Sequence, residues 1–161
     1  MKNIALFGLF VFSMITNNSL GQSVVDIRFG DNASKWSKYL TPIDACSTCV
    51  CQIYIAKENI PTVIWGHTIE KAVLSFDATG LVRKIFIFYP NPGDIDVPKE
   101  MLDNMQENLG YKFGHIVNSE GSHYGLKIDN SFMVVVSRSN CIFSEGKDRI
   151  QFQMGNVGAC K

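Results

Sequence analysis

The chain has 161 residues with 15 basic and 15 acidic side chains, so its formal net charge is zero. This balance, with charges of both signs interspersed along the chain, excludes the strongly basic surface by which many proteins hold nucleic acid or anionic membranes. The length suits one domain of the commonest size, with a hydrophobic core of its own.

Residues 1–21 have the layout of a secretory signal peptide. Lys2 supplies the positive charge, an almost wholly apolar run follows, and Ser19 and Gly21 provide the small side chains that signal peptidase accepts before the cut. The apolar run is too short for a membrane span, which needs about 20 residues. We therefore expect cleavage after Gly21 and a single secreted or periplasmic domain of residues 22–161, without a membrane span and with 14 basic against 15 acidic side chains.

After the signal peptide, the sequence predicts a short strand, a helix and four further strands, the last two of which form a β-hairpin. Residues 24–29 alternate loosely and predict a short opening strand. Asn32 is the predicted N-cap of a helix over residues 33–40, which Thr41-Pro42 ends. Further strands are predicted at residues 52–56, 62–66, 72–76 and 81–89. The last two flank a four-residue connection that ends in glycine, which is typical of a hairpin, and the second of them is apolar on both faces, as a central strand would be.

The second half of the chain begins with the clearest predicted helix. Pro98 suits its first turn, Asp94 and Asp96 are candidate caps, and Gly110 is the predicted C-cap. Its apolar stripe consists of Val97, Met101, Leu102, Met105 and Leu109. Strands are then predicted at residues 124–128 and 132–137, joined by Asp129-Asn130, and at residues 141–143 and 149–154. The last of these alternates apolar and polar side chains, which indicates an antiparallel sheet with one solvated face.

The predicted order, in which a helix is followed by strands and this arrangement occurs twice, indicates an α+β fold. We expect two helices packed on one face of a mostly antiparallel sheet, with two αβββ-like halves at about 24–90 and 94–156. This layout resembles that of small secreted modules of the β-lactamase-inhibitor type. The resemblance is architectural, rests on no specific motif, and implies no functional residue.

All five cysteines lie in the predicted mature domain. Exported proteins keep such cysteines as disulfides, because no glutathione pool reduces them. Five is odd, so at most two bridges form within the chain, and sequence leaves the connectivity open. Cys49 and Cys51 share a face of an extended segment, so they point at a common neighbour. This favours a bridge from the cluster to a distant cysteine, with Cys160 preferred over Cys141. The disulfide candidates are Cys46, Cys49, Cys51, Cys141 and Cys160.

The close cluster Cys46, Cys49 and Cys51 also allows a thiol-redox pair or a soft-metal site. A thioredoxin-like motif would sit between a strand and a long helix, whereas here a proline-terminated helix precedes the cluster. A structural zinc site would want a second close pair, and Cys141 and Cys160 are far apart in the chain. Structural disulfides are therefore the favoured interpretation.

The other reactive side chains form no recognisable catalytic or metal-binding motif in the sequence. The histidines are His67, His115 and His123, and they show no metal-ligand spacing. Ser119 and Ser122 are interpreted as turn residues, and Asp94 and Asp96 as caps rather than a calcium loop. We expect no catalytic residue, no cofactor and no metal ligand.

Aromatic side chains are a remaining candidate for a binding face. They are Trp36, Trp65, Phe86, Phe88 and Tyr89, and tryptophan and tyrosine are favoured at recognition surfaces. Their positions on apolar stripes favour the core instead. Asn32-Ala33-Ser34 matches the glycosylation triplet, which matters if the source is a eukaryote.

The signal peptide, the neutral charge and the motif pattern together favour a secreted or periplasmic, non-catalytic module that binds a protein or an envelope component, with no role in nucleic-acid binding. The alternative is a small metal-handling or thiol-redox protein that uses the Cys46, Cys49 and Cys51 cluster.

Overall fold

A computed structural model describes residues 26–43, 50–57, 63–110, 112–118, 121–127, 131–156, 158 and 160. These residues form mostly antiparallel sheet with two short helices, which agrees with the predicted α+β class in its broad form. The helices are α1 (Ala33–Trp36) and α2 (Lys99–Leu109). The strands are β1 (Leu40–Ile43), β2 (Gln52–Ala56), β3 (Val63–Ile64), β4 (His67–Asp77), β5 (Gly80–Phe88), β6 (Gly114–Asn118), β7 (Gly121–Lys127), β8 (Phe132–Cys141) and β9 (Lys147–Asn156).

The strand order of the sheet is β1-β2-β4-β5-β9-β8-β7-β6, and the short β3 pairs with β4 beside it. Each helix is therefore followed by a meander of four sheet strands, one more than the three of the expected αβββ-like halves, although four strands are predicted after each helix. The two meanders meet through their last strands, β5 and β9, which pair antiparallel with Phe86 opposite Phe152. This pairing places the ends of both halves at the centre of the sheet.

The main hydrophobic core collects side chains from both meanders and both helices. Phe86 of β5 and Phe152 of β9 belong to it, together with Trp36 of α1 and Met101 and Met105 of α2. A smaller buried cluster contains Val73, Ile85, Ile87 and Cys141. Ile85 and Ile87 alternate along β5 with Phe86 and Phe88, so β5 is buried on both faces, as its apolar sequence predicts.

The start of the described chain differs from the prediction. Residues 26–29 of the predicted opening strand are not a strand, and residues 24–25 lie outside the described part. The predicted helix over 33–40 is shorter, because α1 gives way to a 3-10 turn at Ser37–Tyr39. Asn32 is its N-cap, as predicted, and its side-chain oxygen accepts a hydrogen bond from the Ser34 backbone N–H at 3.2 Å.

Thr41 and Pro42 do not simply end a helix but form part of strand β1. Leu40 pairs with Ala56 of β2, and Ile43 pairs with Ile53. Proline has no backbone N–H to give to a ladder, so strands tolerate it at the edge of a sheet. Position β1 at one end of the strand order fits this requirement.

The predicted hairpin between β4 and β5 is confirmed, and its turn is tighter than expected. Asp77 pairs with Gly80, so only two residues connect the strands, and the Asp77 carboxylate accepts a hydrogen bond from the Thr79 backbone N–H at 2.7 Å. A side chain at Gly80 would lie 2.4 Å from the Gly30 carbonyl oxygen. Gly30 and Asp31 pass this close because they exchange backbone hydrogen bonds with Leu81.

The stripe of α2 packs as predicted. Met101, Leu102 and Met105 are buried, and Leu109 lies partly buried against the same core. Gly110 is the C-cap, with a left-handed backbone at φ 71°. Pro98 is the N-cap residue rather than part of the first turn.

The predicted caps Asp94 and Asp96 do not cap α2 but hold the loop before it. Asp94 accepts a hydrogen bond from the Asn91 backbone N–H at 3.2 Å. Asp96 accepts one from the Val97 backbone N–H at 2.7 Å and one from the Tyr124 hydroxyl at 3.1 Å. These carboxylates are recruited by loop donors and a tyrosine from β7, which the sequence gives no means of locating.

The second half differs from the prediction at two further strands. The strand predicted at residues 141–143 is wrong, because β8 ends at Cys141 and Ile142–Ser144 forms a 3-10 turn. Strand β6 is present although the sequence analysis did not predict it. The predicted turn Asp129-Asn130 lies outside the described residues.

A disulfide joins Cys51, beside β2, to Cys160 in the C-terminal tail, 109 positions later. This is the long bridge from the cluster to the last cysteine that the sequence favoured. Cys141 is a buried free thiol, while Cys46 and Cys49 lie outside the described residues. Among the described residues, no helix is long and apolar enough to cross a membrane.

Replacing Met105 should test the packing of α2. Met105 is fully buried, so Met105→Ala should lower the free energy of unfolding by about 2–5 kcal/mol, because lost burial and a cavity add together. Glu107→Ala, on the exposed face, should change it by less than about 0.5 kcal/mol. Urea denaturation of both variants checks this, and equal losses would contradict the packing described for α2.

Removing the long disulfide should destabilise the folded domain. In the chain-entropy model, a closed loop of about 100 residues is worth about 4.7 kcal/mol, so Cys160→Ser should lower the unfolding free energy by several kcal/mol. Urea denaturation with and without a thiol reductant measures the effect. The reductant should bring the wild type to the stability of the variant. A difference that survives reduction would show that the bridge is not its source.

Candidate binding cleft

A cleft of about 470 Å³ lies at the end of the sheet where the last strands of the two meanders meet. The start of β4, the residues just after β5, the first turn of α2 and one residue of β9 form its walls. The polar and aromatic side chains that line it are His67, Thr68, Tyr89, Asn91 and Glu100. Met101 and Ile150 form apolar parts of the wall. This volume lies in the range of small-molecule sites.

The tight β3–β4 connection positions one wall of the cleft. Trp65 has a left-handed backbone, φ 51°, and Gly66 follows at φ 82°, so the chain reverses within two residues. The Trp65 ring packs edge-on against Phe152 at 4.8 Å and Phe86 at 6.2 Å between ring centroids. Trp65 therefore fastens the turn to the core, and His67 follows directly at the start of β4.

An ion pair supports the aromatic wall. The Arg149 Nε donates a hydrogen bond to the Glu70 carboxylate, and both side chains are only 13% exposed. The Arg149 guanidinium also lies 4.8 Å from the centroid of the Tyr89 ring, a cation–π contact. Tyr89 is 52% exposed, so it is held in place while much of its surface stays open to solvent.

The loop before α2 is anchored to the second meander. Arg138 of β8 donates to the Asp94 carbonyl oxygen, and its other nitrogens bind the Asp148 carboxylate of β9 at 2.6–3.1 Å. Such paired contacts between a guanidinium and a carboxylate fix geometry as well as adding energy. With the Tyr124–Asp96 bond, they hold the loop that carries Asn91, so this wall is preformed.

His67 contributes an unusual atom to the cleft wall. Its Nε2 is buried and finds no hydrogen-bond partner among the described residues, and its ring packs edge-on against Phe88 at 6.4 Å. Nearly all buried polar atoms of folded proteins are hydrogen-bonded, because an unpaired one costs about 1–3 kcal/mol. The cleft wall therefore contains a buried polar atom whose hydrogen bond is not made within the described part of the chain.

The structure divides the predicted aromatic set. Trp36, Phe86 and Phe88 are buried and Trp65 packs against the same core, so the core interpretation is confirmed for these four. Tyr89 is different, because it stays half exposed and lines the cleft.

The predicted histidines lie on three strands. His67 begins β4, His115 is on β6 and stacks on the Tyr124 ring at 4.6 Å, and His123 is on β7. Ser122 and His123 line a separate, smaller depression of about 220 Å³. Ser119 lies outside the described residues. In the described part of the chain, no group of three or more metal-ligating side chains comes together.

Sequence reasoning missed Thr68, Asn91 and Glu100. Asn91 lies in a proline- and glycine-rich segment that the sequence marks only as a break in the sheet, and Glu100 is an ordinary residue of a helix start. Their role in the cleft depends on the β5–β9 pairing, which no local pattern predicts. The proline-flanked break directly after Tyr89 is the one signal that the sequence offers.

Comparison with known proteins finds no matching protein family, no matching curated protein and no matching solved structure. The function must therefore be inferred from the chemistry of the chain's own residues.

The Glu70–Arg149 pair should make stability depend on acid pH. Burial would raise the pKa of Glu70, but hydrogen bonding and the charges of Arg149 and Lys71 outweigh it and hold this pKa below its usual value of 4.5. The pair therefore stabilises the fold at neutral pH, and this contribution is lost as the pH falls from about 4.5 through the lowered pKa. Glu70→Gln should cost about 1–3 kcal/mol at pH 7.

Urea denaturation of wild type and Glu70→Gln at several pH values measures this difference. The control is Glu145→Gln, whose side chain is 81% exposed and which should cost less than about 0.5 kcal/mol. A gap between wild type and Glu70→Gln that stays constant down to pH 3 would contradict the assignment.

Proposed function

We propose that the protein is a secreted or periplasmic, non-catalytic module that binds a protein or a component of the cell envelope. The observation that carries the proposal is the cleft at the junction of the two meanders, with an exposed aromatic ring, several hydrogen-bonding side chains and an anchored loop as one wall. Concave sites that hold polar groups in fixed positions beside apolar or aromatic surface are common binding sites of folded domains. The signal-like residues 1–21 support export.

Exposed apolar and aromatic groups support recognition of a partner. Tyr89 is 52% exposed, and Ile95, on the loop that carries Asn91, is 99% exposed. Aromatic anchors in preorganised surroundings contribute most of the energy at recognition surfaces. Anchoring of the loop by Arg138 lowers the entropy lost when a partner binds, because the loop is already ordered.

The proposal extends to the architecture that builds this site. Trp36 of α1 shares one buried cluster with Met101 of α2, which supports two helices packed on the same face of the sheet. The repeated order of helix and meander supports two related halves at about 24–90 and 94–156. In this proposal, the cleft exists because the two halves join side by side through their last strands, β5 and β9.

The alternative function is a small metal-handling or thiol-redox protein that uses the Cys46, Cys49 and Cys51 cluster. In the structure Cys51 is bonded to Cys160, so its sulfur is not available as a thiolate. Cys46 and Cys49 lie outside the described residues. Thiol counting and metal analysis on protein from its native compartment separate the two functions, because bound metal with three or more free thiols would favour the alternative.

A pull-down from the envelope fraction and medium of the source organism tests the binding function. The bait is the mature protein, whose N-terminus mass spectrometry should place near residue 22. Wild type should enrich a component that the Tyr89→Ala/Asn91→Ala variant recovers at least about tenfold less, equivalent to about 1.4 kcal/mol of binding. Glu107→Ala, outside the cleft, should behave as wild type.

Purified components then repeat the comparison by titration calorimetry. A partner that binds both variants equally well would show that the cleft is not the binding site. Recovery of no specific component from either fraction would contradict the binding function itself.

A further inference from the structure

We propose that the cleft is a saccharide site, which accepts a short segment of a neutral glycan by stacking on Tyr89 and hydrogen bonding to the surrounding side chains. This inference rests on the proposed binding function and specifies its ligand class. It follows from three properties of the cleft: an open aromatic ring, a mixed set of hydrogen-bonding groups, and the state of the charges around it.

The aromatic ring provides a surface for the C–H groups of a sugar. A pyranose has a weakly polar face of C–H bonds that packs on an aromatic ring and polar hydroxyls around its rim. Tyr89 is 52% exposed and lines the cleft, and the Arg149 guanidinium sits 4.8 Å from its ring centroid. A ring fixed in this way loses little conformational freedom when a ligand stacks on it.

The hydrogen-bonding groups match the chemistry of sugar hydroxyls. Each hydroxyl both donates and accepts, so a site for several of them needs both kinds of partner. The Asn91 amide offers donors and an acceptor, the Thr68 hydroxyl offers both, and the Glu100 carboxylate accepts. All three line the same cleft as Tyr89.

The charges around the cleft favour a neutral ligand. Of the described side chains that line it, none is a lysine or an arginine, and Glu100 would repel a phosphate or carboxylate. The nearby Arg149 is committed to Glu70 and to one face of Tyr89, where a cationic ligand would otherwise be attracted. An anion therefore meets the Glu100 carboxylate and no unpaired guanidinium or ammonium group in the described lining, and a cation that approaches Tyr89 meets a guanidinium already in contact with its ring.

The buried Nε2 of His67 favours a local rearrangement of the cleft wall when a ligand binds. This atom is buried, the described part of the chain offers it no hydrogen-bond partner, and its residue lines the cleft. A small movement of this wall would expose it to a sugar hydroxyl, which can either donate or accept the missing hydrogen bond. Binding would then satisfy an atom that is unsatisfied in the free protein.

Titration calorimetry with tetrasaccharides tests the proposal. The probes are cello-, chito-, xylo- and malto-oligosaccharides, added to the mature protein. At least one should bind with a Kd below about 1 mM, and Tyr89→Ala and Asn91→Ala should each weaken it by about tenfold or more. Tyr89→Phe keeps the ring and should retain most of the affinity, and Glu107→Ala should match wild type.

Salt dependence separates a neutral ligand from an ionic one. Raising the salt from about 0.1 to about 0.5 M should leave the Kd nearly unchanged, because screening acts on charge pairs. No binding of any neutral probe at millimolar concentration would overturn the saccharide proposal, and so would binding that Tyr89→Ala leaves intact. If the pull-down still yields a partner lost in the cleft variant, the saccharide proposal fails while the binding function stands.

Discussion

The pairing of β5 with β9 is the constraint on which the rest of this structure depends. β5 is buried on both faces, so water cannot satisfy its backbone N–H and C=O groups. It therefore needs a hydrogen-bonded strand along each edge, and β4 supplies only one of them. β9 supplies the other, and the rings of Phe86 and Phe152 lie nearly parallel, 6.1 Å apart, across this joint. Trp65 packs on both rings and brings the β3–β4 turn to the same place. The cleft forms beside this joint, with walls from both meanders.

The parts of the fold that the sequence predicts are those whose local pattern and tertiary environment agree. The apolar run of β5, the stripe of α2 and the glycine-ended β4–β5 turn each carry their own signal. The wrong predictions fall where tertiary pairing decides. Pro42 reads as the end of a helix, yet an edge strand accepts it because one side of its backbone needs no partner. The strand predicted at residues 141–143 has suitable side chains, but the chain turns there to begin the connection to β9.

The candidate site was predictable only in part. Tyr89 and His67 are candidates by residue type alone. The sequence offers Tyr89 as one of five candidate aromatic residues and His67 as one of three histidines. It cannot bring them together, because they approach each other only when β4 and β5 pair and the loop before α2 folds back. That loop is fixed by Arg138 and Asp148, which are far from it in the chain. Long-range contacts between polar side chains leave no periodicity in the sequence, so the cleft becomes visible only in the folded molecule.

The central claim is that the two meanders form one cooperative unit through β5 and β9, with the cleft built at their joint. Native-state hydrogen exchange in low urea tests it directly, because it resolves the opening free energy of each strand. The account predicts that amides of β4, β5, β8 and β9 exchange through one global opening, with the same free energy and the same urea dependence. If β8 and β9 opened at lower free energy while β4 and β5 stayed protected, the halves would be separate units and the account would be contradicted.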